Sequence, residues 1–85
     1  MNKPSLKQRL STLKEGQSGI LSAPSDPNCP EILRLLEMGM IEGCLVKLLR
    51  RAPWKGPLQI RVCETLLCIR EEQASLFFIQ PCGDV

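Results

Sequence analysis

Between Leu45 and Ile69 the chain reads LVKLLRRAPWKGPLQIRVCETLLCI, and the fold turns on whether this stretch is helix or strand. Its middle decides the matter. Leu58, Ile60 and Val62 alternate with Gln59, Arg61 and Cys63, a period of two that puts one face inward and one outward, as a half-buried strand requires. Before it, Leu45 and Leu49 share one parity while Val46 and Leu48 share the other, so this segment reads as a central strand with apolar residues on both faces. APWKGP (Ala52 to Pro57) is a loop between the two, and a turn at Glu64 and Thr65 returns the chain as a strand from Leu66 to Arg70.

Upstream, APSDPNCP (Ala23 to Pro30) holds three prolines with Ser25, Asp26 and Asn28, and so breaks whatever precedes it. What precedes it is a strand over about Gln17 to Ala23, fed by a turn in LKEGQSG (Leu13 to Gly19). Asn28 and Glu31 have the spacing of a capping box, and Pro30 suits a first helical turn. Ile32, Leu33, Leu35 and Leu36 then supply the stripe of a helix about ten residues long that ends at Met38, with Gly39 placed for a left-handed cap. MIEGC (Met40 to Cys44) is a turn. At the far end, EEQA (Glu71 to Ala74) is one helical turn, and Leu76 to Ile79 is a last strand with at least one of Phe77 and Phe78 in the core.

The sum is a mainly β chain of about five short strands with one helix inserted after the first. A closed or nearly closed barrel is the expected solution, because closure removes exposed edges. Residues 1–10 read as an N-terminal tail, 11–80 as the domain and 81–85 as a C-terminal tail. With 85 residues, 44% of them hydrophobic and 24% charged, there is material for one small core and no basis for disorder or a coiled coil. The longest apolar runs, Leu66 to Ile69 and Leu76 to Ile79, are far shorter than a membrane helix, so direct membrane insertion is not expected. The polar stretch STLKEGQSG after Leu10 does not resemble a secretory signal, and a cytoplasmic location is the expectation.

A formal charge of +2 gives no obligatory attraction to nucleic acid. The five cations from Lys47 to Arg61 lack the interleaved aromatics of a base-stacking platform, so no nucleic-acid partner is expected. Catalysis is not expected either: the chain has no histidine and no tyrosine, no nucleophile elbow and no phosphate loop. Glu71 and Glu72 are neighbours on a helical turn and diverge rather than face each other.

Five cysteines (Cys29, Cys44, Cys63, Cys68, Cys82) include no CxxC pair and leave an odd thiol over, so reduced cysteines are the default reading. A turn at Glu64 and Thr65 would pair Cys63 with Leu66 and set it diagonal to Cys68 on the outward face. Those two are therefore the candidate metal-binding or redox thiols. No cofactor is expected, with a transition-metal ion as the one left open. Cys29 begins the helix, and Cys82, in the tail, is the thiol expected to be most reactive and least expected to be functional. Trp54, in its loop, reads either as a lid over the barrel end or as a contact for a partner.

Three segments in order, CPEILRLLEMGMIEG, LVKLLRRAPWKGPLQIRV and LLCIREEQA, resemble the FeoA family of small ferrous-iron-transport accessory proteins, over about Leu10 to Ile79. LLEMGMIEG (Leu35 to Gly43), RRAP (Arg50 to Pro53) and IREEQA (Ile69 to Ala74) carry most of the likeness. The resemblance implies an SH3-like barrel that acts in the bacterial cytoplasm on FeoB, the inner-membrane ferrous transporter, and so reaches the membrane only through it. It implies a protein partner and no catalysis. The same fold resembles the C-terminal domain of diphtheria-toxin-repressor-type regulators, which carry a winged DNA-binding domain as well. There are two departures from the family pattern: the usual Leu-Gly-Asp-Pro loop is Trp54-Lys55-Gly56-Pro57, and Glu64 stands where a turn glycine is usual.

The candidate contact surface is the end of the helix with its turn: Leu36, Met38, Gly39 and Met40, together with Trp54. Met38 and Met40 flank a tight glycine turn and could present polarizable side chains at an exposed corner. Equally, Leu36 could be core and the methionines could seal the barrel end. A second functional reading is a thiol-based metal or redox sensor that dimerises through its cysteines; a homo-oligomer is compatible with the sequence.

Overall fold

The structure, a computed structural model, describes residues 7–24 and 26–82. Residues 1–6 of the lead-in, Ser25 of the proline-rich turn and residues 83–85 of the tail lie outside the described residues. Six strands form one antiparallel sheet: β1 (Gln8–Arg9), β2 (Ser18–Pro24), β3 (Leu45–Arg51), β4 (Leu58–Val62), β5 (Thr65–Ile69) and β6 (Phe77–Pro81). Helix α1 (Pro30–Glu37) is inserted between β2 and β3, and a single helical turn, α2 (Glu71–Ala74), joins β5 to β6. The strand order is β1-β6-β2-β3-β4-β5.

This is the expected mainly β architecture with one principal helix, and it has one strand more than expected. Gln8 pairs with Ile79 and Arg9 with Phe78, so the sheet begins inside the segment read as a tail. The reason lies in long-range contacts rather than local pattern. The Arg9 guanidinium sits over the Phe78 ring at 5.1 Å and donates to the Ser75 carbonyl at 2.7 Å, which ties a polar dipeptide to β6. The 3₁₀ turn that follows, Leu10–Thr12, delivers Leu10 into the core.

β3 does lie between two neighbours, but only one of its faces is buried. Val46 and Leu48 point inward while Leu45 and Lys47 are exposed. A register shift between Leu48 and Arg50 then sets Leu49 aside as a bulge and changes the strand's parity. That shift brings Arg51 to the barrel end, where its guanidinium donates to the carbonyls of Ser11 and Leu13 and its amide donates to the Glu15 carboxylate. One of the cations read as part of a basic run is thus a structural clasp. β4 follows its alternation as written, with Leu58, Ile60 and Val62 all buried.

The two ends of the sheet meet through α2. Arg70 to Leu76 alone connects the edge strand β5 to β6, the neighbour of the other edge strand β1, so the two ends of the sheet cannot lie far apart, and the side-chain oxygen of Gln73 accepts from the Arg70 amide to start the turn. The core they enclose holds fifteen residues, among them Leu21, Ile32, Leu35, Met40, Phe77 and Ile79, with no buried polar or charged side chain among the described residues.

Gly19 shows how tightly β2 and β6 are pressed together. A Cβ there would lie 2.6 Å from the Gln80 carbonyl oxygen, 2.8 Å from the Ile79 side chain and 3.0 Å from the Pro81 Cα. Two of those neighbours are backbone and cannot swing aside. Gly19→Ala is therefore expected to cost about 1–3 kcal/mol by overpacking, read as a lower denaturation midpoint with an unchanged slope.

Candidate functional site

Helix α1 ends in a motif that sorts the candidate residues. Cys29 is its N-cap and Pro30 its first residue, as the missing proline N–H allows. The expected capping box does not form: the Asn28 amide donates to Asp26 Oδ1, and the Glu31 carboxylate accepts instead from Gln73 of α2 at 2.9 Å. At the other end the Gly39 amide donates to the Leu36 carbonyl and the Met40 amide to the Leu35 carbonyl, both at 3.1 Å, with Gly39 at φ +116°. This is a Schellman cap, and its usual companion is an apolar contact between the two residues that the longer bond joins. Here those are Leu35 and Met40, both buried in the core.

Met40 is therefore not a contact residue. It is 0% exposed and belongs to the core cluster, so it offers no surface to a partner. Leu36 is half-buried and packs against the core. Met38 is 44% exposed and Gly39 is half-buried at the turn beside it. Ile41, missing from the sequence candidates, is 54% exposed, and its amide donates to the Gly39 carbonyl at 2.9 Å. The signal for it was present: once Met40 is the buried partner of a Schellman cap, the next residue leaves the core.

The corner is held down on β2 as well. The Gly43 amide donates to the Leu21 carbonyl and the Leu21 amide to the Cys44 carbonyl, both at 2.8 Å. Immediately beyond, Ile20 faces Leu45 across the β2–β3 ladder, and both are partly exposed. Next to them a shallow depression of about 520 Å³ is lined by Leu45, Lys47, Arg61, Cys63, Glu64 and Leu66. The exposed apolar side chains of this end of the sheet thus stand beside two cations.

Trp54 is not brought to this place. It sits in the β3–β4 loop, past Arg51, whereas the helix corner leads into Leu45, so the two lie at opposite ends of β3. It is 94% exposed and covers nothing, which excludes the lid reading. Trp54 and Lys55 both have positive φ, 60° and 58°, a conformation that L residues adopt at a cost.

The cysteines are also rearranged. Val62 pairs with Thr65, so the two-residue turn is Cys63–Glu64 rather than Glu64–Thr65. Cys63 takes the positive φ, 56°, and Leu66 pairs with Arg61. Cys68 pairs with Gln59, four ladder steps from the turn, which is about 13 Å and too far for a shared metal ion. Among the described residues no three cysteine, aspartate or glutamate side chains come together, so a closed metal site does not fit. The thiol that does meet Cys63 is Cys44. A hydrogen bond between them, then burial, pushes the Cys44 thiol above its ordinary pKa.

No helix among the described residues is long and apolar enough to cross a membrane. A sequence model described as the FeoA domain matches residues 8–81. Comparison with curated proteins gives no match. Among solved structures, the FeoA protein of Chlorobium tepidum is 28% identical over 92% of this chain and 74% of its own, with a TM-score of 0.77. The Stenotrophomonas maltophilia FeoA, solved with zinc and described as a prokaryotic SH3-domain protein, is 24% identical over 85% of this chain and 88% of its own, with a TM-score of 0.73. A manganese-dependent transcriptional repressor shares the fold at 12% identity and a TM-score of 0.82; 94% of this chain matches only 44% of that one.

Two tests follow from this geometry. Met40→Ala should lower stability by about 2–5 kcal/mol, as loss of a fully buried side chain does, while Met38→Ala should stay within about 0.5 kcal/mol; chemical denaturation compares them. In mildly alkaline buffer Cys44 should be alkylated more slowly than the exposed Cys63, because it is half-buried and its own pKa is raised; peptide mass spectrometry after brief iodoacetamide treatment reads the order.

Proposed function

The chain belongs to the FeoA domain family, matched from residue 8 to residue 81, and from that premise we propose that it is a non-catalytic accessory protein that docks on the cytosolic part of the FeoB ferrous iron transporter. A role in ferrous iron transport comes with the family. Docking is supported by one observation above the others: the Schellman cap buries Met40 and in doing so turns Met38 and Ile41 outward. Two flexible or branched apolar side chains, fixed on a turn that is bonded at both ends, make a preorganised contact that loses little entropy on binding. Ile20 and Leu45 extend that surface.

In this reading the protein needs no resident cofactor, works at the cytoplasmic face and meets the membrane only through its partner. The Trp54 loop is a second, separate contact. A large aromatic left 94% exposed in a left-handed backbone has no role in the fold, and interfaces are where such anchors act.

The test is co-purification of tagged protein with detergent-solubilised transporter, with and without a GTP analogue. Met38→Asp combined with Ile41→Asp should keep the fold, since both positions are exposed, and weaken retention by about tenfold or more, a loss of about 1.4 kcal/mol. Trp54→Ala should leave the denaturation midpoint unchanged and weaken retention independently. Undiminished retention of the double variant would remove the corner from the interface, and failure of the unsubstituted protein to be retained in any nucleotide state would remove the docking reading itself.

A further inference from the structure

Two thiols meet where an ideal antiparallel ladder would keep them apart. Val46 faces Val62, so Leu45 stands opposite Cys63, and the Cys63 amide donates to the Leu45 carbonyl at 2.9 Å. Cys44 is one residue further along. In a regular pleat Cys44 and Cys63 would point to opposite faces, because successive side chains alternate. Neither sits in a regular pleat. Cys63 is the first residue of the β4–β5 turn at φ 56°, and Cys44 follows Gly43 at φ 95°, before β3 begins. Leaving the pleat at these two adjacent points lets both thiols lie on the same side, and the neighbouring Cys63 thiol raises the pKa of Cys44.

The pair is asymmetric. Cys63 is exposed and lines the depression with Lys47 and Arg61, whereas Cys44 is half-buried against the core and held by backbone bonds to Ile41 and Leu21. An accessible thiol backed by a less accessible one in contact with it is the arrangement of an attacking and a resolving cysteine. The remaining three, Cys29, Cys68 and Cys82, belong to the helix start, to β5 and to the end of β6.

We propose that Cys44 and Cys63 form a peroxide-oxidisable dithiol site that closes to an intramolecular disulfide. The Cys63 thiolate attacks one oxygen of hydrogen peroxide, the O–O bond breaks, and hydroxide leaves and takes up a proton as the first water. Cys63 is then a sulfenic acid. The Cys44 thiolate attacks the Cys63 sulfur, displaces its hydroxyl group as the second water, and forms the S–S bond. Two thiols give up two electrons, and one peroxide is reduced to two waters. The product pins the start of β3 to the β4–β5 turn. It also fixes the segment that leads from the Ile41 corner, since the Cys44 amide is bonded to the Ile41 carbonyl at 3.1 Å. This inference stands independently of the docking reading.

The experiment treats the full reduced chain with stoichiometric hydrogen peroxide, blocks the remaining thiols and digests without reductant. The expected result is a monomer that has lost two of its five titratable thiols and the mass of two hydrogens, reversibly with dithiothreitol. The tryptic peptide 62–70 should be linked to the one that carries Cys44, with fragmentation placing the bond at Cys63 and not at Cys68, which shares that peptide. Cys63→Ala, at an exposed position, should keep all of its thiols under the same dose, while Cys68→Ala and Cys82→Ala should still close the link. In Cys44→Ala the reaction should stop at a sulfenic acid on Cys63 that dimedone traps. Five thiols surviving the dose, a link through Cys68 or Cys82, a disulfide-bonded dimer, or sulfinic acid on Cys63 with Cys44 free would each overturn the proposal.

Discussion

The approach of β2 to β6 at Gly19 is the constraint on which the rest of the molecule depends. With a carbonyl oxygen 2.6 Å from where a side chain would begin, β6 lies too close to β2 for any side chain at residue 19. The register shift between Leu21 and Pro24 on the same pair adds a bend. A small sheet can enclose a core only if it coils, and the irregularities on the β2–β6 and β3–β4 pairs are places where it can bend. The helical turn α2 can then join the edge strand β5 to β6, next to the other edge, in the few residues from Arg70 to Leu76. Because β2 also carries the backbone bonds to Gly43 and Cys44, the same strand that bends the sheet sets the position of the helix corner.

That corner is where folding and exposed apolar surface are mechanically one thing. Burial of Met40 beside Leu35 contributes to the core, and the glycine at φ +116° lets the chain double back so that Met40 can get there. Met38 and Ile41 are outside because Met40 is inside. A surface made in this way is rigid on the side that faces the core and variable on the side that faces solvent, so substitutions at Met38 or Ile41 can alter binding without touching stability.

Much of this was legible in the chain itself. The alternation of Leu58, Ile60 and Val62, the helix with its proline start and glycine stop, and the α2 turn are local patterns, and local patterns survive folding when the tertiary structure agrees with them. The failures are non-local. β1 is a strand only because Arg9 finds Phe78, 69 positions further along the chain, and no periodicity in two residues could announce it. The bulge at Leu49 hides in a run that alternates on paper. The β4–β5 turn was displaced by one residue because Glu64 and Thr65 are better turn formers than Cys63, and the register was decided instead by inward placement of Val62 opposite Thr65.

That one-residue displacement carries the largest functional consequence. In the register read from sequence, Cys63 would belong to the outer face with Cys68, and the two would be a plausible metal or redox pair. In the observed register, Cys63 becomes a turn residue, its positive φ swings the side chain off the pleat, and its neighbour in space is Cys44. Strain at a non-glycine turn position is retained only where the surroundings over-determine it, and here they do: the Cys63 amide is bonded to Leu45, and Val62 before it is buried. The fold therefore fixes one partner of the dithiol by β3–β4 pairing and the other by the turn that follows α1. Juxtaposition of the two cysteines depends on both of these separate pieces of structure being in place at once.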